Sequence, residues 1–298
     1  MYLTLPIATP VQVMIVLCTV ILCGCMSFEE GWKQFKKPTK TGDVAELLKK
    51  AQDQTDEADT KEKVLQLVKT YESVLEIDPY NYEALKKLGG WLAFLGMYYA
   101  DSIEEKKNRL LDAVKYNEQA MYTNPEFKDL VDKGASVWDA YKVLTTREVP
   151  PMFYWWAAGA GYWKECLNRT SRLINFIHPL RGKKILERML EIDPSWDGGH
   201  PYYAWAVRYS ALPRLLGGDL EKAEEFFDKA IEAGPNWLYI RHGRAKYLHT
   251  KKKDRKAFRE DLQWVIEQDP HKADSPYPAN VLFQKEAKEM LANIDDYF

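Results

Sequence analysis

Residues 217–235 read GGDLEKAEEFFDKAIEAGP. The two glycines make a turn, Asp219 stands where a helix N-cap belongs, and Ala223, Phe227 and Ala230 follow before Pro235. Spacings of four and then three put those three side chains on one face of a helix. The proline ends it, because it lacks an amide hydrogen and its ring clashes with the preceding turn. Outward from this stretch the same frame recurs four times: Leu67, Tyr71, Val74 and Pro79; Ala113, Asn117, Ala120 and Pro125; Gly182, Leu186, Met189 and Pro194; Phe258, Leu262, Val265 and Pro270. Five copies in one phase predict a stack of amphipathic helices with a common buried face.

The frame resembles the second half of the tetratricopeptide repeat. The first half is visible in Leu85, Leu88, Gly89 and Leu92, and again in His200, Tyr203, Ala204 and Val207. The prolines are unevenly spaced, against a period of about 34 residues for the standard repeat. The longest gap, from Pro125 to Pro194, has room for two repeats, with helices expected over 129–144, 151–165 and about 180–191. Ser102 and Glu105 read as a capping box, and 281–294 reads as a closing amphipathic helix. Strand alternation is absent. The fold expected is therefore all-α, a tetratricopeptide-like α-solenoid of irregular antiparallel helix pairs with a C-terminal capping helix, spanning residues 43–298.

Ahead of this body, Val13–Leu22 is a ten-residue apolar run. It is too short to cross a bilayer, which takes about 20 residues, and it fits the hydrophobic part of a secretion signal. Leu22-Cys23-Gly24-Cys25 looks like a lipobox, predicting a signal peptide over 1–24 and lipid on Cys25. No Lys or Arg precedes Lys33, so either the true start lies upstream or the signal is an unusual one. Residues 25–42 are polar and without period, and read as a lipidated flexible tether. Once the signal is removed and Cys25 acylated, Cys166 is the remaining thiol, and a buried, inert one is the better reading. Met26 after the lipidated cysteine favours the outer membrane over the inner.

The net charge of −2 supplies no basic excess for nucleic acid. No nucleophile elbow, phosphate loop or His-Glu-x-x-His is present. His242 and His249 lie seven apart without a third ligand, so no metal is assigned. Nothing points to an enzyme or a cofactor; the chain reads as a binding protein.

Binding is instead suggested by aromatics, ten Trp and eighteen Tyr in 298 residues. Residues 153–163, FYWWAAGAGYW, are entirely aromatic, Gly or Ala. Such a helix is apolar all round and must be enclosed. Two readings stand: a central packed helix, or the wall of an apolar cavity in which the small residues leave room. For the second reading the candidates are Trp155, Trp156, Tyr162 and Trp163, joined by Tyr202, Trp205 and Tyr209, which follow an i, i+3, i+7 pattern on a first helix. First helices line the concave side of such solenoids, which would bring that trio to face 153–163. Arg208 and Arg214 are near enough in sequence to orient an anionic head group, although arginines there are more often solvated.

The order of lipobox, helix pairs, aromatic helix, the Gly217–Ala223 segment and closing helix resembles the TatT family. These are the tetratricopeptide lipoproteins associated with TRAP transporters. The resemblance runs from about Asp43 to Phe298 and is sharpest over 149–163 and 196–235. It implies a periplasmic lipoprotein that docks the transporter's solute-binding protein, a hydrophobic ligand sheltered in an internal conduit, and homo-oligomers among some members. The repeat by itself also fits a general envelope scaffold for outer-membrane or cell-wall assembly.

Overall fold

The computed structural model describes residues 28–298; the expected signal peptide and Cys25 lie outside the described residues. Each of the first five helices begins at a side chain that caps it. Asp43 accepts hydrogen bonds from the first amides of α1 (Val44–Glu57), and Thr60 does so for α2 (Lys61–Ile77). Asn81 caps α3 (Tyr82–Tyr98), Ser102 caps α4 (Ile103–Tyr122) and Asn124 caps α5 (Pro125–Asp132). Each cap satisfies amides that have no partner within the helix. Then come the aromatic helix α6 (Val149–Gly161), α7 (Arg169–Ile174) and α8 (Ile177–Ile192). The last third holds α9 (Trp196–Ala211), α10 (Leu220–Ala233), α11 (Leu238–Arg244), α12 (Arg255–Glu267) and α13 (Tyr277–Ala292). Among the described residues there is no strand.

All fifteen residues of the repeating frame are buried, on α2, α4, α8, α10 and α12. Each of these helices ends two or three residues before its proline, as the ring requires. The all-α solenoid-like fold is thus the observed one, built of helices packed on their neighbours: α1 on α2, α2 on α3, α3 on α4, α9 on α10 and α12 on α13. Gly89 is what lets α3 and α4 approach, since a Cβ there would lie 2.6 Å from the side chain of Asn117. Asn117, the polar member of the frame, is fully buried and returns its amide to the Ala113 carbonyl at 2.8 Å.

One expectation is corrected, and two elements make contacts beyond those expected. The helix expected over 129–144 is broken: α5 stops at Asp132, and Gly134 adopts a left-handed φ of +94°. A short turn of helix, Val137–Ala140, follows. The tether is not free over its whole length, since Gly31–Gln34 forms a turn with Trp32 buried edge-on against Phe127, at 6.3 Å between rings. Phe35 stacks on Tyr80 at 4.2 Å, while residues 36–42 are exposed and without helix. Finally, α13 does more than cap α12. It also packs on α1, and its Phe283 meets Tyr98 of α3 edge-on at 5.5 Å. The stack curves until its end touches its beginning.

Candidate functional site

Within this curve lies a partly open cavity of about 520 Å³, within the ~300–1,000 Å³ of small-molecule sites. Helix α6 supplies Phe153, Tyr154, Trp155 and Trp156, and Trp163 follows in a π-helical turn over Tyr162–Cys166. Beside it, α3 presents Gly90, Trp91 and Phe94, and α9 presents His200, Tyr203, Val207 and Arg208. Pro179 and Gly182 of α8, Tyr239 of α11 and Phe283 of α13 complete the wall.

Small residues make room for the large ones. A Cβ at Gly182 would stand 2.9 Å from the Trp156 indole nitrogen. At Gly243 it would stand 2.5 Å from the Tyr203 ring. Both rings hold their places at the wall because glycine lies behind them. The aromatic side chains brace one another: His200 stacks on Tyr239 at 4.3 Å, Tyr203 meets Tyr239 edge-on at 4.8 Å, and Phe153 meets His200 at 4.8 Å. Burial pushes the hydroxyls of Tyr203 and Tyr239 well above their ordinary pKa, so both stay neutral donors.

The sequence candidates divide. Trp155, Trp156, Trp163 and Arg208 line the cavity. Tyr202, Trp205 and Tyr209 do not; they close around Phe226 of α10 at 6.1, 5.9 and 5.6 Å. Tyr162 also turns away, meeting Phe28 edge-on at 5.9 Å. The reason lies in the rotation of α9. Asp197, Gly198 and Gly199 form a left-handed turn inside its first residues, and the helix leaves that turn with its His200, Tyr203, Ala204, Val207, Arg208 and Ala211 stripe inward. The Tyr202 stripe is rotated about 100° away, toward the partner helix of the pair. Trp91, Phe94, Tyr239 and Phe283 were missed, because an aromatic at a core position of an amphipathic helix looks the same in sequence whether it meets a neighbour or a void.

Arg208 is half-buried, not solvated, and donates to the Pro179 carbonyl at 2.9 Å. Burial lowers its pKa. Cys166 is buried, which raises its thiol pKa and fits an inert role. His242 and His249 go to different carboxylates, Glu286 at 3.1 Å and Asp261 at 3.0 Å.

Behind Trp155 the wall is tied to the N-terminal segment. The Trp155 indole N–H donates to Glu118 Oε1 at 2.9 Å, and the Gly31 amide donates to Oε2 at 2.6 Å. Burial raises the Glu118 pKa to about 7 despite these two hydrogen bonds, and the Glu30 charge adds to the rise. A carboxyl with a raised folded pKa keeps its proton in the folded chain after the unfolded chain has lost it. Its contribution to stability therefore falls as pH rises from about 4.5 to about 7. Replacing Glu118 with Gln should remove that dependence. The wild type is expected to lose about 1–3 kcal/mol relative to Glu118→Gln between pH 5 and pH 8, measured by denaturant unfolding. A difference that does not change with pH would reject the assignment.

The chain matches the family described as TRAP transporter T-component over residues 53–298. No curated protein matches it.

Proposed function

The chain belongs to the TRAP transporter T-component family, and from that premise we propose that it is a lipid-anchored envelope protein that docks the periplasmic solute-binding protein of a TRAP-type system and holds a hydrophobic ligand in its aromatic cavity. The observation that carries the ligand half is the cavity itself. A partly open space of about 520 Å³ walled by bulky side chains is not what close packing would leave, because protein interiors otherwise fill to crystal-like density. No catalytic constellation has been assigned to it, and a binding role fits the transport family.

The anchor half rests on the sequence. No helix among the described residues is long and apolar enough to cross a membrane, so attachment through lipid on Cys25 is the proposal, with the outer membrane preferred. Docking is supported by exposed apolar side chains beside the wall: Ile177 and Leu180 flank Pro179, and Leu215 and Leu216 follow Leu212. Exposed apolar side chains of this kind mark interaction sites when they gather.

Pull-down of the chain from detergent extract, followed by mass spectrometry, tests both halves. The periplasmic solute-binding protein should be recovered, together with a small apolar molecule that Val207→Trp, which fills the cavity from α9, reduces roughly 10-fold. Recovery of outer-membrane assembly proteins in its place would overturn the transport reading in favour of a general scaffold.

A further inference from the structure

The charges at the cavity wall do not balance locally. Glu165 is paired with Lys106 at 2.5 Å, and Asp197 lies 3.1 Å from His200. Lys86 is paired with Glu83 at 2.7 Å. Among the described residues, no ion pair engages Lys87, Lys164 or Arg208, all of which line the cavity. The two lysines are exposed and keep their water, whereas Arg208 is half-buried. One guanidinium nitrogen is held by the Pro179 carbonyl. Glu187, the carboxylate whose charge reaches Arg208, is itself engaged by Lys183 at 3.1 Å.

A partly desolvated guanidinium costs free energy unless an anion returns the hydrogen bonds that water gave it. Its planar fork is matched to the two oxygens of a carboxylate or phosphate. Around it the wall is apolar: Val207 and Ala211 on the same helix, Leu212 beyond, and Phe153 and Trp156 across.

We propose that Arg208 is the head-group subsite of this cavity, and that the occupant is an amphiphile with an apolar body and one anionic head. The assignment rests on the ligand-holding role proposed above and gives that ligand its chemical class. The aromatic lining alone would equally suit a cation held over ring faces. Arg208 carries a fixed positive charge at this wall, and a cation held beside it would be repelled.

Four probes with one twelve-carbon chain test this on the full chain, read by tryptophan fluorescence: dodecanoate, dodecyl phosphate, methyl dodecanoate and dodecyltrimethylammonium. The two anions should bind roughly 10- to 100-fold more tightly than the ester, the worth of a charge-assisted hydrogen bond. Arg208→Met should erase that preference, bringing the anions down to the level of the ester, and Arg208→Lys should keep part of it. Preference for dodecanoate would point to a fatty-acid-like source and preference for the phosphate to a phospholipid-like one, either supporting the subsite. An ester that binds as tightly as the anions, or an ammonium that binds most tightly, overturns the head-group assignment and leaves the cavity reading intact. Should no probe bind, the cavity reading falls and takes the subsite with it.

Discussion

Replacing Asp261 with Ala is expected to cost about 3–5 kcal/mol, the usual loss when one member of a buried ionic cluster is removed. Asp261 sits on α12 and is buried. Arg244 grips both of its oxygens, through Nε at 2.7 Å and Nη2 at 2.8 Å. Arg241 reaches Oδ1 at 3.3 Å and His249 lies 3.0 Å from Oδ2. Arg244 also donates to Asp228 of α10 at 3.0 Å, so a single cluster ties together three helices consecutive in the stack. Without the carboxylate, two guanidinium groups and an imidazole would face each other with only the exposed Asp228 beside Arg244 to offset them. Denaturant unfolding of Asp261→Ala measures the cost, and a loss below about 1 kcal/mol would mean that water replaces the carboxylate at little expense.

Acid should reproduce the effect. Burial alone would raise the Asp261 pKa, but the hydrogen bonds from Arg244 and His249 outweigh it and hold the group at about 2. A carboxyl whose folded pKa is depressed gives stability that is complete above its ordinary value near 3.8 and is lost as pH falls toward 2. The wild type should therefore lose about 2 kcal/mol of its advantage over Asp261→Ala across that window and keep all of it above pH 5.

The second large effect is expected at Phe227, which is fully buried. Phe227→Ala should destabilise by about 3–5 kcal/mol, the range for deleting a buried ring and leaving its cavity. The adjacent Phe226 is the control. It has the same chemistry but lies half-buried on the other face, against Tyr202, Trp205 and Tyr209. Phe226→Ala should cost only about 1–2 kcal/mol. Equal losses at the two positions would contradict the helical phase from which the fold is read. Phe227 also supports the site, meeting the cavity-lining Tyr203 edge-on at 5.9 Å, so its removal should weaken binding of any apolar probe as well.

The difference between these two phenylalanines was legible without coordinates. Four-then-three spacing and a terminating proline are local properties, and a helix of that pattern has one face to bury whatever its neighbours are. So the five frames and the capping residues Ser102 and Asp219 of two of their helices followed from residue order. The turn at Gly134 did not, because one glycine in an otherwise helical pattern does not announce a left-handed φ.

The site depended on longer-range geometry. Whether Tyr202 or Tyr203 faces the cavity is settled by how far α9 has rotated when it leaves the Asp197–Gly199 turn, a quantity that side-chain spacing along one helix does not contain. Glu118 meets Gly31 across 87 positions, and α13 meets α1 across most of the chain. Such contacts arise from the accumulated curvature of the stack, to which every helix pair adds a small angle. Residue order thus determined that this protein is a stack of helix pairs with a shared buried face. Tertiary structure alone decided that the stack closes on itself, which aromatics line the space it encloses, and that Arg208 stands half-buried at its wall, because those outcomes are sums over many helix crossings that no single segment encodes.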